Sequence, residues 1–158
     1  MLNNKLILGI GNMLILTAII FLNIPSQIAN AQEEIVVAKE PGENANLDLF
    51  DKLDFEAWNN NNWTLFKEIH SPDVLVVDFD GQFTKGIDEH VAWAKETQAS
   101  APSTITAHPI KIAVGNWTAV TGNLTGTVLA TGESFNSTMI TLAHWEDGRI
   151  VEEYLFGN

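Results

Sequence analysis

The chain has 158 residues, a formal net charge of −12, 46% apolar residues and no cysteine. So acidic a chain repels nucleic acid and anionic membranes, because phosphate binding needs clustered Lys and Arg. Without cysteine there is no disulfide, no thiolate nucleophile and no sulfur-ligated metal; five Trp and eight Phe supply the mass of a core instead.

Lys5 is the only charge before Glu33, and residues 6–22 are almost wholly apolar. Ala29-Asn30-Ala31 then puts small residues at −3 and −1 from a site before Gln32. This is the pattern of a secretory signal peptide over residues 1–31. The apolar run sits at the short end of the roughly 17–25 residues that span a bilayer, so cleavage is expected in place of a permanent anchor. The mature chain is then secreted or periplasmic, begins at Gln32 and keeps no stable membrane association. N-terminal sequencing of protein from its host reads this directly.

Residues 32–46 are polar and acidic, carry Pro41-Gly42, and read as a flexible leader. Residues 47–158 read as one domain with one core. Residues 47–59 predict a helix, with Asn46 as cap, Asp48 in the positive first turn, and Phe50, Leu53, Ala57 and Trp58 as its apolar stripe. The run Asn59-Asn60-Asn61-Asn62 ends it, since Asn tolerates the left-handed conformation of a helix stop. Residues 63–70 predict a second helix, closed by Ser71-Pro72. A strand over 74–79 turns at Asp80-Gly81 into a short partner, and 87–99 predicts a third helix. Four long antiparallel strands follow, over 105–114, 117–129, 134–146 and 150–156, separated by Gly115-Asn116, Thr131-Gly132 and Asp147-Gly148. Asp147-Gly148 supplies the two positive-φ positions of a tight hairpin. Neither parity of 134–146 is cleanly polar, so a second protomer is expected to cover the outer face of the sheet as a homodimer.

Proton transfer needs a group that titrates near neutral pH, and His is the natural one. His108 shares strand parity with Ile110, Ile112 and Val114, which makes it the leading catalytic candidate if that row faces a pocket. His90 lies one turn from Trp93 and Ala94 on the third helix, and Asp78 ends the first strand where it could pair with either His. His70, in a helix-ending turn, reads as a cap for carbonyls, and His144 as an interface residue beside Ile140 and Leu142. Glu152 and Glu153 occupy opposite faces of the last strand, so only one can point inward. Trp58, Trp63 and Trp93 could wall an apolar pocket for a flat ligand. No His-x-His or His-x-x-x-His spacing and no phosphate-cradling glycine loop occurs outside residues 1–31, so neither a metal nor a cofactor is expected.

Several short runs fall in a familiar order: Trp58-Asn59, His70-Ser71-Pro72-Asp73, Gly86-Ile87-Asp88-Glu89-His90, His108-Pro109-Ile110, Thr121-Gly122-Asn123-Leu124-Thr125-Gly126-Thr127, and the hairpin from His144 to Glu153. Over residues 47–158 the chain resembles the SnoaL-like (polyketide cyclase-like) branch of the NTF2-like superfamily. The resemblance implies an α+β cone: three N-terminal helices on a curved, mainly antiparallel sheet, enclosing an apolar pocket. Cyclases of this branch use a carboxylate on the penultimate strand with a His on the strand before it. Those positions fall near Thr141 and Leu124 here, and neither side chain shuttles protons at neutral pH. Thr141 is thereby expected to touch ligand. The expected function is binding of a small hydrophobic molecule by an exported protein; the alternative is a cofactor-independent lyase or isomerase with a His/Asp acid–base pair. A dry, all-apolar cone would favour the first, and ionisable side chains converging inside it the second.

Overall fold

The computed structural model describes residues 34–157. The expected signal peptide and cleavage site lie outside these residues. No helix among them is long and apolar enough to cross a membrane.

Folded structure starts earlier than the composition implies. Strand β1 (Ile35–Val37) pairs in parallel with a later strand, and helix α1 (Pro41–Asp51) begins six residues before the expected position. Pro41 stands in the first turn, where a missing N–H costs nothing and the fixed φ suits a helix. Buried Glu43 ties this start down, accepting from the backbone N–H groups of Lys39 (2.6 Å), Glu40 (3.0 Å) and Gly115 (2.7 Å). Pro41, counted with the flexible leader, is therefore a helix opener.

Helix α1 continues into a π-helical segment, Lys52–Trp58, whose widened turn shows in the Asn59 N–H to Asp54 carbonyl bond of 3.1 Å. Such turns are rare and recur at functional sites. The polyasparagine stop behaves as expected: Asn61 takes φ 54°. Asn59 adds a long-range tie, its side chain donating to the Ile105 carbonyl and accepting from the Ile105 N–H at 2.8 Å each. Helices α2 (Trp63–Ile69) and α3 (Ile87–Ser100) flank β2 (His70–Val77) and β3 (Phe83–Lys85).

Five further strands complete the sheet: β4 (Ser103–Ala107), β5 (Ile110–Val114), β6 (Trp117–Val128), β7 (Glu133–Glu146) and β8 (Arg149–Gly157). The order is β1-β5-β6-β7-β8-β2-β3, with β4 pairing β6 beside β5. The eight-stranded sheet is mixed: β1/β5 and β2/β8 are parallel, the other pairs antiparallel. Asp147 (φ 49°) and Gly148 (φ 73°) make the tight turn between β7 and β8.

The strand expected over 105–114 is two strands. Pro109 has no N–H for the ladder, and pairing stops at Ala107 and resumes at Lys111. Side-chain alternation restarts across this break, so parity cannot be carried from Ile110 back to His108. Ile110, Ile112 and Val114 face outward at 37%, 38% and 69% exposure, whereas His108 is buried.

The inner face of the sheet carries rows such as Thr118/Ala143/Glu153 and Val120/Thr141/Leu155. These meet Leu47, Phe50, Leu53 and Ala57 of the first helix, Phe66 of α2, and Val91 and Ala94 of α3. Trp145 closes one end of this core, edge-on to Phe50, with its Nε1–H donating to Thr118 Oγ1 at 2.9 Å.

Candidate functional site

The helices do not fill the sheet's concave face. A narrow cavity of about 60 Å³ remains. Its wall is mostly apolar: Leu53, Trp58, Phe66, Phe79, Trp93, Ile105, Leu124, Met139 and Leu155, with the polar groups Asp54, His90, Thr97, Thr141 and Glu153. The rings of Trp58 and Trp93 lie 6.5 Å apart.

Asp54 sits on the π-helical segment and is 6% exposed. Its Oδ2 accepts from His108 Nε2 at 2.8 Å, while His108 Nδ1 donates to Asp51 Oδ1 at 2.8 Å. Both ring nitrogens donating to carboxylates makes His108 an imidazolium. Burial alone would pull its pKa down, but the hydrogen bonds and charges of Asp54 and Asp51 outweigh that and raise it. Asp51 Oδ2 in turn accepts from Lys111 Nζ at 2.9 Å, and Lys111 pairs with Glu34. A line of alternating charge thus runs from Glu34 through Lys111, Asp51 and His108 to Asp54 at the cavity. Burial pushes the Asp54 carboxyl above the ordinary carboxylate range; the His108 contact restrains that rise without cancelling it.

A second buried carboxylate meets two imidazoles on the sheet side. Glu153 is 5% exposed, with His70 Nε2 at 3.4 Å and His90 Nε2 at 3.7 Å from its Oε2. Burial pushes this carboxyl up, yet His70 and His90 outweigh it and hold it below the ordinary value. His90 is stacked on Trp93 (5.4 Å, 13°) and packed against Phe66. Burial lowers its pKa to about 4 against the opposing pull of Glu153, so it is neutral at physiological pH.

Of the expected site residues, His90, Trp58, Trp93 and Thr141 line the cavity. His108 does not; it stands behind Asp54 and holds it. Asp78 lies at the β2–β3 turn, burdened by burial and by Asp80, and makes no hydrogen bond or ion pair with His90 or His108 among the described residues. Trp63 packs edge-on against Phe66 and borders a separate groove with Lys67 and Arg149, because α2 turns that side away from the cone. His70 caps a carbonyl as expected, Nδ1 donating to Phe66 O at 2.7 Å.

Asp54 was missed, since nothing in its surroundings marks it apart from other acidic residues of the first helix; its partner His108 is 54 positions away. Glu153 was half found, as one of a pair of which only one could face inward. Two polar atoms of the wall, Trp58 Nε1 and Thr141 Oγ1, are buried without a hydrogen-bond partner among the described residues. Such groups cost free energy unless something supplies the partner.

The fold defines the NTF2-like class. Residues 54–153 match the SnoaL-like domain family, and the chain belongs to it. Among solved structures it is similar to a protein assigned as a SnoaL-like polyketide cyclase from Jannaschia sp. CCS1, at 20% identity over 77% of this chain and 90% of that one, with a TM-score of 0.67. It is also similar to IdmH of Streptomyces antibioticus, assigned as a polyketide cyclase (22%, 72% and 91%, TM-score 0.63). A third is an NTF2-like protein from Burkholderia xenovorans LB400 (13%, 73% and 91%, TM-score 0.65). No curated protein matches the chain. At these identities the likeness speaks for the fold, and function has to be argued from the site.

Proposed function

We propose that the cone is an acid–base active site that moves protons on a small, flat, largely apolar molecule, in a lyase or isomerase reaction. The observation that carries this reading is Asp54: a buried carboxylate on an apolar cavity wall, gripped from behind by a charged imidazole. An all-apolar cone would have favoured simple binding; this one gathers Asp54, His90 and Glu153. Asp54 is the proposed base. Trp58 Nε1 is a donor free to hold a ligand oxygen, and Thr141 Oγ1 a second polar contact. Trp58 and Trp93 would clamp the flat body of the ligand.

The test begins with protein purified from its native host and any retained ligand identified by mass spectrometry. That ligand is then incubated with the protein in deuterated water. Enzyme-dependent incorporation of deuterium at carbon supports the proposal; tight binding without exchange returns the protein to the binding class. The proposed setting remains secreted or periplasmic, from the pattern of residues 1–31.

A homodimer through the outer face of the sheet belongs to the same proposal. Cross-strand pairing puts Ile112, Leu142 and Tyr154 on one row of that face, Ile140 and Phe156 on the next, and Val114, Trp117 and His144 on a third. Ile140 and Phe156 are 45% and 53% exposed. Apolar area left in water at about 25 cal/mol per Å² drives association. Light scattering at micromolar concentration should give twice the chain mass, and Ile140→Glu should halve it. A wild-type monomer at every concentration would rule the dimer out.

A further inference from the structure

The two histidines on the sheet side hold their rings in a way the acid–base reading does not use. His70 Nδ1 donates to the Phe66 carbonyl at 2.7 Å, which aims its Nε2 at Glu153. His90 Nδ1 meets Thr84 Oγ1 at 3.3 Å, and its Nε2 also faces Glu153. Anchoring one ring nitrogen to a carbonyl or hydroxyl while the other looks inward is how metal-ligating histidines are oriented. The spacing agrees. A charge-assisted hydrogen bond would be about 2.7–2.9 Å, yet the two nitrogens stand 3.4 and 3.7 Å from Glu153 Oε2. Ligands at about 2.0–2.1 Å from a tetrahedral ion are about 3.3 Å from one another. The three ligand atoms all fall within 4.8 Å of one another, and all three residues are buried. They are drawn from β2, α3 and β8, which is why residue spacing alone gives no metal pattern.

We propose that His70 Nε2, His90 Nε2 and the Glu153 carboxylate bind one divalent transition-metal ion of the zinc class, with an open coordination position facing the cone. Two imidazoles and one carboxylate suit Zn2+ and disfavour Mg2+ and Ca2+, which prefer all-oxygen sets. Phe66, at 4.6 Å from the His70 ring and 5.2 Å from the His90 ring, gives the site a dry shell. Because His90 and Glu153 also line the cavity, an ion held there would meet a ligand on the wall that carries Thr141.

Calorimetric titration of the chelator-stripped full chain with ZnCl2 tests the site. One equivalent should bind per chain, excess Mg2+ should not displace it, and Co2+ in its place should give the intense visible absorption of a tetrahedral ion. Glu153→Gln should weaken Zn2+ binding by more than the roughly 10–100-fold that loss of a mere outer-sphere partner costs. Should that variant fail to fold, the wild-type Co2+ spectrum decides alone: absence of tetrahedral absorption overturns the proposal. Zn2+ uptake untouched by a folded Glu153→Gln also overturns it, since the ions would then sit on the acidic surface. The titration needs no substrate, so its failure leaves the deuterium-exchange test of the acid–base reading standing, and the reverse holds too.

Discussion

Trp145→Ala is expected to lower the stability of the domain by about 3–5 kcal/mol, the range for removing a fully buried Trp. Domains hold only about 5–15 kcal/mol in all, so this one change removes a large share. Trp145 is 1% exposed, packs edge-on against Phe50 and lies beside Ile150 in the β7–β8 ladder. Its loss leaves a cavity that Phe50, fixed on α1, cannot close, and it strips Thr118 Oγ1 of its donor at 2.9 Å. Thermal or urea melts followed by circular dichroism read the loss. Trp145→Phe should cost less, because most of the volume stays and only the Thr118 bond goes. Trp145 is not part of the cone's wall, so at temperatures where the alanine variant remains folded its ligand affinity should match wild type. An alanine variant within about 1 kcal/mol of wild type would mean that this end of the core relaxes far more than close packing allows.

The order of elements was legible because most were marked locally: the asparagine run, Asp80-Gly81 and Asp147-Gly148 each end or turn an element where the structure does, whereas Ser71-Pro72 falls inside β2, just past the end of α2. The misreadings share one physical cause, the reach of tertiary partners past local pattern. Pro41-Gly42 has a breaker's composition, yet Glu43 takes three backbone donors, one from Gly115, and the helix starts there. Strand parity located His108 through a segment that Pro109 interrupts. The site was harder still. Asp54, His70, His90 and Glu153 come from four elements, and no short spacing links them. Thr141 and Leu124, the positions the resemblance singles out, both line the cavity, and the proposed base, Asp54, stands on another wall of the same cone.

Asp54→Asn should reduce the exchange rate by roughly 10²–10⁴-fold, the usual contribution of a positioned general base. The replacement keeps size and shape but takes from the His108 imidazolium one of its two counter-charges, so stability should also fall, and the rate is compared at a temperature where the variant is folded. His108→Gln separates positioning from catalysis. With the imidazolium in place, its hydrogen bond and charge restrain the burial-driven rise of the Asp54 pKa. Remove it, and burial acts with less opposition, so the pKa climbs further. A base must be ionised to accept a proton; the rate therefore falls as pH drops through that pKa. The acid limb of the pH–rate profile should thus move to higher pH in His108→Gln, while the plateau at high pH is partly kept. A role confined to packing would lower the plateau and leave the limb where it was. If Asp54→Asn exchanges at the wild-type rate, Asp54 is not the base, and Glu153 becomes the carboxylate to test.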